Sequence, residues 1–372
     1  MEKVKVTIVG AGVIGLGIAY ELSKFMTDII VVEENESFGQ ESSSRNSEVI
    51  HSGLYYRPGS LKAQTCIKGN RLLYDFCAKH NIAHKKLGKL VVASDDGEVQ
   101  RVEHDYNNAI ESGVSNLRFI DHDEIKKLEP NIEAKKGFFS PDTGILDTHS
   151  FMHFLYVGAK ERGVTFSFST EAVGVDKNDS LYKITVREPQ GDTFSFESPI
   201  VINAAGLCCD KVAAMVGIDI QKCGYKLNYC KGQYFRIEHP KKFSINHLVY
   251  PPSTQISLGI HITPDLGEGI RLGPDAKYVP GVDYNVNEKD KVHFYESVKK
   301  FLPVLESDDL ISDTAGVRPK LQKEGEDFHD FVIEEETDKG FPGFINLVGI
   351  ESPGLTSCLA ITEIVKKIVK NL

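Results

Sequence analysis

Apolar residues in this chain gather in short dense runs. The first, Val6-Thr7-Ile8-Val9, ends on Gly10-Ala11-Gly12-Val13-Ile14-Gly15, and Ala19 and Leu22 continue a helical spacing after it. The second, Ile29-Ile30-Val31-Val32, closes on Glu33, 23 residues after Gly10. Short runs of this kind, bounded by glycine, read as strands buried on both faces. Val164 to Phe168, Pro199 to Gly206 and Phe344 to Ile350 repeat the pattern, so strands near residues 6, 30, 166, 202 and 347 are expected to share one sheet. Helices are predicted from a Ser60 N-cap to Lys79, from Gly97 to Ser112, and from Ser150 to Arg162. Thr170 to Glu197 alternates as a β-meander does. From Gly217 to Lys320 strand-like segments dominate: Lys226 to Ile237, His247 to Tyr250, Ser257 to Thr263 and Ile270 to Leu272, interrupted by one helix around Glu288 to Phe301. These predict an antiparallel sheet with a separate job. Glu351-Ser352-Pro353-Gly354-Leu355-Thr356 then leads into a final helix, with Pro353 near its first turn.

A length of 372 residues favours two domains. The expected class is α/β: a Rossmann-like dinucleotide domain built from residues 1–85, 145–217 and 318–372, with an inserted α+β domain, mostly antiparallel, from 86–144 and 218–317. The net charge of −10 argues against non-specific nucleic-acid binding. It also means that an anionic substrate must be drawn in by local cations. The longest apolar runs fall far below the ~18 residues of a membrane-spanning helix, and the first strand begins almost at Met1, which predicts no leader. Seven cysteines with no C-x-x-C pair suit a reducing cytoplasm and no metal site. Peripheral membrane contact stays open.

The first glycine turn carries a mechanism. Gly10 permits the tight turn, Gly12 lets backbone approach a pyrophosphate, and Gly15 lets the helix pack on the sheet. The helix N-terminus, through Val13 and Ile14, offers amides and partial positive charge to phosphates. Glu33 suits ribose hydroxyls. The following polar loop brings Glu34, Ser43, Ser44, Arg45, Asn46 and Ser47 to the strand end that faces the cofactor. Ala205 and Gly206 allow close approach of a ring, and Gly349 with Pro353 and Gly354 forms a second candidate anion or ring-edge turn.

Taken together, these landmarks resemble the FAD-dependent oxidoreductases of the D-amino-acid-oxidase-like superfamily. The glycine-rich start, Ala204-Ala205-Gly206, Ala315-Gly316-Val317-Arg318-Pro319 and Gly349…Pro353-Gly354 occur in that order and spacing across the chain. Ser44-Arg45-Asn46-Ser47-Glu48-Val49-Ile50-His51-Ser52-Gly53-Leu54-Tyr55-Tyr56 is close to the signature of the L-2-hydroxyglutarate dehydrogenase/oxidase family. So are Lys85-Lys86-Leu87-Gly88-Lys89-Leu90 and His247 to Thr263. Two stretches depart from it, Lys231-Gly232-Gln233 and Gly349-Ile350-Glu351-Ser352-Pro353 (Asn-Ala-Pro-Ser-Pro in that family), which places the chain in a neighbouring branch.

The resemblance implies an extended FAD. Its pyrophosphate would lie on the helix after Gly12, its ribose on Glu33, and its adenine side against the Val173 backbone. Its ring would lie near Ser43 to His51, Gly206, Arg318 and Gly349 to Thr356, including Leu355. It also implies oxidation of an L-2-hydroxy acid, L-2-hydroxyglutarate foremost, to the 2-oxo acid, with electrons passing to O2 or a quinone. Arg318 is the candidate clamp for the substrate carboxylate, through paired charge-assisted hydrogen bonds worth roughly 1.5–3 kcal/mol each. A histidine is the natural base: His261 at the substrate side is favoured, with His51 beside the flavin. Tyr55, Tyr56, Lys62 and Tyr250 are weaker candidates for lining the pocket or holding a distal carboxylate. The alternatives are a glycine- or sarcosine-oxidase-like amine oxidase and a non-catalytic flavin-binding scaffold.

Overall fold

The structure, a computed structural model, describes residues 2–253 and 259–372. The five apolar runs lie side by side. Across the sheet the order is Val332–Glu335, Phe344–Val348, Ile200–Asn203, β1 (Val6–Val9), β2 (Ile29–Val32) and Thr165–Ser167. All neighbours are parallel except the edge strand Val332–Glu335. Every residue of β1 and of Phe344–Val348 is buried, because both faces are covered. On one face pack α1 (Val13–Leu22), α2 (Leu61–Lys79), the helix Thr148–Glu161 and the C-terminal helix Gly354–Asn371. On the other lie the meander Glu171–Asn178, Leu181–Arg187 and Thr193–Ser198, and the helix Cys209–Met215. α1 is apolar nearly all round, as a helix in the middle of such a layer must be. Ser60 starts α2 as expected, its hydroxyl accepting the Ala63 amide at 3.1 Å.

β2 flanks β1 on one side and Ile200–Asn203 flanks it on the other. From β1 the chain builds to one side through β2 and Thr165–Ser167 and then crosses to the other at Ile200–Asn203, and this reversal opens a crevice beyond the C-terminal end of β1. A second, nine-stranded sheet closes that crevice. Its longest pair, Asn228–Ile237 with Leu310–Lys320, lies towards one end and is antiparallel, and Leu248–Tyr250 runs parallel to Lys89–Ala93. The sheet is thus mostly antiparallel. The strand Leu310–Lys320 continues unbroken across the boundary expected at residue 318. The helix expected around Glu288 to Phe301 is a 3-10 turn, Glu288–Asp290, followed by the helix Lys291–Lys299. The strand expected from Ser257 begins on residues outside those described, and its described part is Ile262–Pro264. All seven cysteines are free thiols. Among the described residues no helix is long and apolar enough to cross a membrane.

The junction of α1 with β1 is set by contact between backbones. A Cβ on Gly15 would lie 2.0 Å from the Gly10 carbonyl oxygen, closer than atoms can approach. Gly15→Ala must therefore push the helix off the sheet. We expect a loss of about 1–3 kcal/mol in urea unfolding, and an unchanged midpoint would contradict this packing.

Candidate active site

The turn from β1 into α1 is held from three sides. The Gly10 amide donates to Val32 O at 2.8 Å, which ties the turn to β2. Glu33, buried at the end of β2, accepts the Ala11 amide on Oε2 at 2.7 Å and the Asn35 amide on Oε1 at 3.0 Å. Ser43 Oγ accepts the Val13 amide at 3.0 Å, so the polar loop reaches the first turn of the helix. That loop is stitched to the second sheet. Ser42 Oγ donates to Val317 O at 2.8 Å, Ser47 Oγ meets Tyr234 OH at 2.9 Å, and Arg45 stacks 4.0 Å from the Tyr284 ring.

A cavity of about 420 Å³ runs from this turn into the second sheet. Gly12, Val13 and Ile14 line it with Ser43, Arg45, Asn46 and Ser47. Gly206 and the late turn Pro353-Gly354-Leu355 line it from the other end of the chain. His51, Tyr55, Tyr56, Tyr250, His261, Arg318 and Lys62 complete the residues expected at the site. The remaining expected residues stand behind the wall or away from it. Gly10 and Gly15 shape the turn, and Glu33 braces it. Thr356 Oγ1 accepts the His51 amide at 3.0 Å and donates to Val49 O at 3.2 Å, which fixes the strand carrying His51. Ala205 donates its amide to Asn203 Oδ1, and Gly349 precedes the late turn. Ser44 is exposed and turns its hydroxyl to the Gly39 carbonyl. Glu34 is exposed, and Val173 lies at a register irregularity in the meander.

At the inner end, His261 is 4 % exposed and stacks on Tyr250, with ring centroids 3.7 Å apart. Its Nδ1 lies 3.1 Å from Gly259 O, and a carbonyl can only accept, so Nδ1 carries the hydrogen. Burial, then the nearby Lys89 ammonium, push this imidazole down to about 3. A neutral ring protonated on Nδ1 leaves its lone pair on Nε2, and among the described residues that buried Nε2 has no hydrogen-bond partner. The Tyr55 hydroxyl is likewise buried and unpartnered among the described residues. His51 is held well below the usual imidazole value by burial, then by Lys89, then by His261. Arg318 lies over Gly232, where an added Cβ would stand 2.9 Å from the guanidinium nitrogens. The guanidinium donates to Lys231 O at 3.4 Å and Asp275 O at 3.1 Å, so it is oriented but only partly engaged.

Two features escaped the sequence reading. Lys89 opens an otherwise apolar strand, and that lone cation in an apolar run was the available signal. It is 1 % exposed, with Nζ 3.6 Å from the Tyr250 centroid. An ammonium and an imidazole that close cannot share one face, so the Tyr250 ring separates them. Among the described residues no carboxylate pairs with Lys89, and burial lowers it to about 7. The second is the partner of Lys62: that expected pocket residue is buried and paired with Glu351 at 2.9 Å.

A glycine turn at the switch point of a parallel sheet, opening on a cavity with a neutral imidazole at its far end, defines a dinucleotide-dependent oxidoreductase. Residues 5–368 match the family described as FAD dependent oxidoreductase, DAO, and the chain belongs to that family. It is 35 % identical to the mitochondrial L-2-hydroxyglutarate dehydrogenase of Arabidopsis thaliana, over 97 % of this chain and 82 % of that protein. It is 30 % identical to the glycerol 3-phosphate dehydrogenase of Caloramator mitchellensis, over 99 % of this chain and 74 % of that one. The structure of L-alpha-glycerophosphate oxidase from Mycoplasma pneumoniae with FAD bound superposes with a TM-score of 0.89, at 26 % identity, covering 100 % of this chain and 95 % of that one. The cofactor is FAD. The residues present fit it: amides of a helix N-terminus, the buried Glu33, and Arg45, whose Nε is buried and unpartnered among the described residues.

The Lys89 environment carries a consequence for stability. Its folded value of about 7 lies below its ordinary 10.5, so between these pH values the unfolded chain binds a proton that the folded one lacks. Stability therefore rises with pH in that window, by up to about 1.4 kcal/mol per unit, and this contribution is flat below it. In urea unfolding at several pH values, Lys89→Met is expected to remove that rise. Parallel curves for the two proteins would contradict it.

Proposed function

We propose that this enzyme oxidises an L-2-hydroxy acid, L-2-hydroxyglutarate foremost, to the 2-oxo acid. The observation that carries the reading is His261: a buried, neutral imidazole at the inner end of the FAD cavity, its Nε2 unpartnered among the described residues. A hydroxyl needs a base to take its proton as the carbon is oxidised, whereas a neutral amine does not. His261 Nε2 takes that proton, and the Nδ1 contact to Gly259 O holds the ring in register for it. Burial, and then Lys89 behind Tyr250, keep both histidines unprotonated. Arg318 holds the carboxylate with the donors it has left, oriented by its carbonyl contacts. Tyr55 offers to a second polar group its hydroxyl, unpartnered among the described residues, and His51 stands on the same wall. FAD, when bound, supplies the acceptor for the hydrogen on the substrate carbon. The likeness to L-2-hydroxyglutarate dehydrogenases over nearly the whole chain supports the dicarboxylate. Reduced enzyme is read as passing electrons to O2 or a quinone.

A second reading, oxidation of glycerol 3-phosphate, is favoured by the Caloramator relative and the Mycoplasma structure. It would use the same base on another secondary alcohol. Anaerobic bleaching of the flavin absorbance separates the readings. L-2-hydroxyglutarate is expected to bleach the wild-type enzyme, and His261→Ala to slow that by about 10²–10⁴-fold. Bleaching by glycerol 3-phosphate or glycine alone would overturn the proposed substrate, and an unaffected His261→Ala rate would remove His261 as base.

A further inference from the structure

Away from the histidines, three charged side chains meet on the cavity wall. Lys62 Nζ lies 2.9 Å from Glu351 Oε1, and Lys320 Nζ lies 3.2 Å from Glu351 Oε2. All three residues line the cavity, and their side chains are 7 %, 16 % and 8 % exposed for Lys62, Lys320 and Glu351. They come from distant parts of the chain: the start of α2, the end of the strand Leu310–Lys320, and the turn before the C-terminal helix. The rings of Phe328 and Phe331 stand 5.3 Å from Lys62 Nζ and limit water there. Asp330, the nearest other acid on that segment, is committed to α2, accepting the Leu61 amide at 2.6 Å and the Lys62 amide at 3.0 Å.

The charges do not balance. Two ammonium groups share one carboxylate, and Arg318 adds a third cation that acts on Glu351. Burial alone would raise the Glu351 carboxyl, but Lys62 and then Lys320 outweigh it and draw it down to about 2. Glu351 is thus ionised at every working pH. Fastening the turn would need one lysine. A second, largely desolvated cation beside the first adds a cost of desolvation and like-charge repulsion that packing does not call for. Its effect must be sought in what the cavity holds.

We propose that Lys62, Glu351 and Lys320 form a charge-setting triad that tunes the reduction potential of bound FAD. The excess positive charge favours the reduced cofactor, which carries more negative charge than the oxidised one, and Glu351 limits that bias. The triad acts on the cofactor, so it holds whichever alcohol or acid the pocket takes.

The test is the midpoint potential of FAD in the loaded enzyme, equilibrated with a reference dye at neutral pH. Lys62→Met and Lys320→Met each leave one balanced pair and should lower the potential. Glu351→Gln leaves two cations unopposed and should raise it. Each shift is expected to be about tenfold in the ratio of reduced to oxidised FAD, about 30 mV for a two-electron couple. A merely structural latch would loosen in all three variants and move them the same way. Shifts of one sign in all three, or no shift, would overturn the triad's role. If Glu351→Gln does not retain FAD, the two lysine variants decide alone: both must fall, and an unchanged or raised potential in either overturns the proposal.

Discussion

Removal of water from titratable groups is the constraint on which the chemistry of this fold depends. His261, Lys89 and Glu351 are all sealed into walls between two sheets, and each responds according to its neighbours. Lys89 meets aromatic faces and, among the described residues, no carboxylate, so its charge becomes marginal. His261 is left neutral, its one lone pair without a hydrogen-bond partner among the described residues. Glu351 meets two ammonium groups and stays charged. Desolvation thus yields a neutral base on the cavity wall and a poised cation behind it, while two ammonium groups keep Glu351 an anion against the same desolvation.

The two sheets divide the labour through their connections. The parallel sheet presents a helix N-terminus at its switch point, and the close contact of Gly15 with Gly10 fixes where that helix starts. The antiparallel sheet contributes Tyr250, His261 and Arg318 from strands and strand ends that face the same crevice. The loop from Ser42 to Ser47 joins them, bonded to α1 at one end and to Val317 and Tyr234 at the other. A shift in either sheet would therefore displace the substrate wall relative to the cofactor turn, a displacement of a kind to which catalysis is sensitive.

Much of this was legible in the chain. The apolar runs named all five parallel strands, because a strand buried on both faces cannot hide its composition. Ser60, Gly10 to Gly15 and the late Pro353-Gly354 turn were local signals, and they fall where expected. What stayed hidden was pairing over long separations. Nothing local says that Lys62 reaches Glu351, or that Lys89 lies under Tyr250. Arg318 is expected as a carboxylate clamp, but the carbonyls that hold part of its guanidinium over Gly232 have no local signal. Local periodicity finds elements and caps, whereas side-chain charge states depend on partners that only the fold brings together.

The account turns on the protonation of one ring. Nitrogen-15 spectra of labelled histidine in the FAD-loaded enzyme, with His261→Ala used to assign the signals, report which nitrogen carries hydrogen. The structure predicts a His261 ring protonated on Nδ1 alone at pH 7 and still neutral when the solution is taken well below the ordinary imidazole value. A ring protonated on Nε2, or an imidazolium at pH 7, would contradict it.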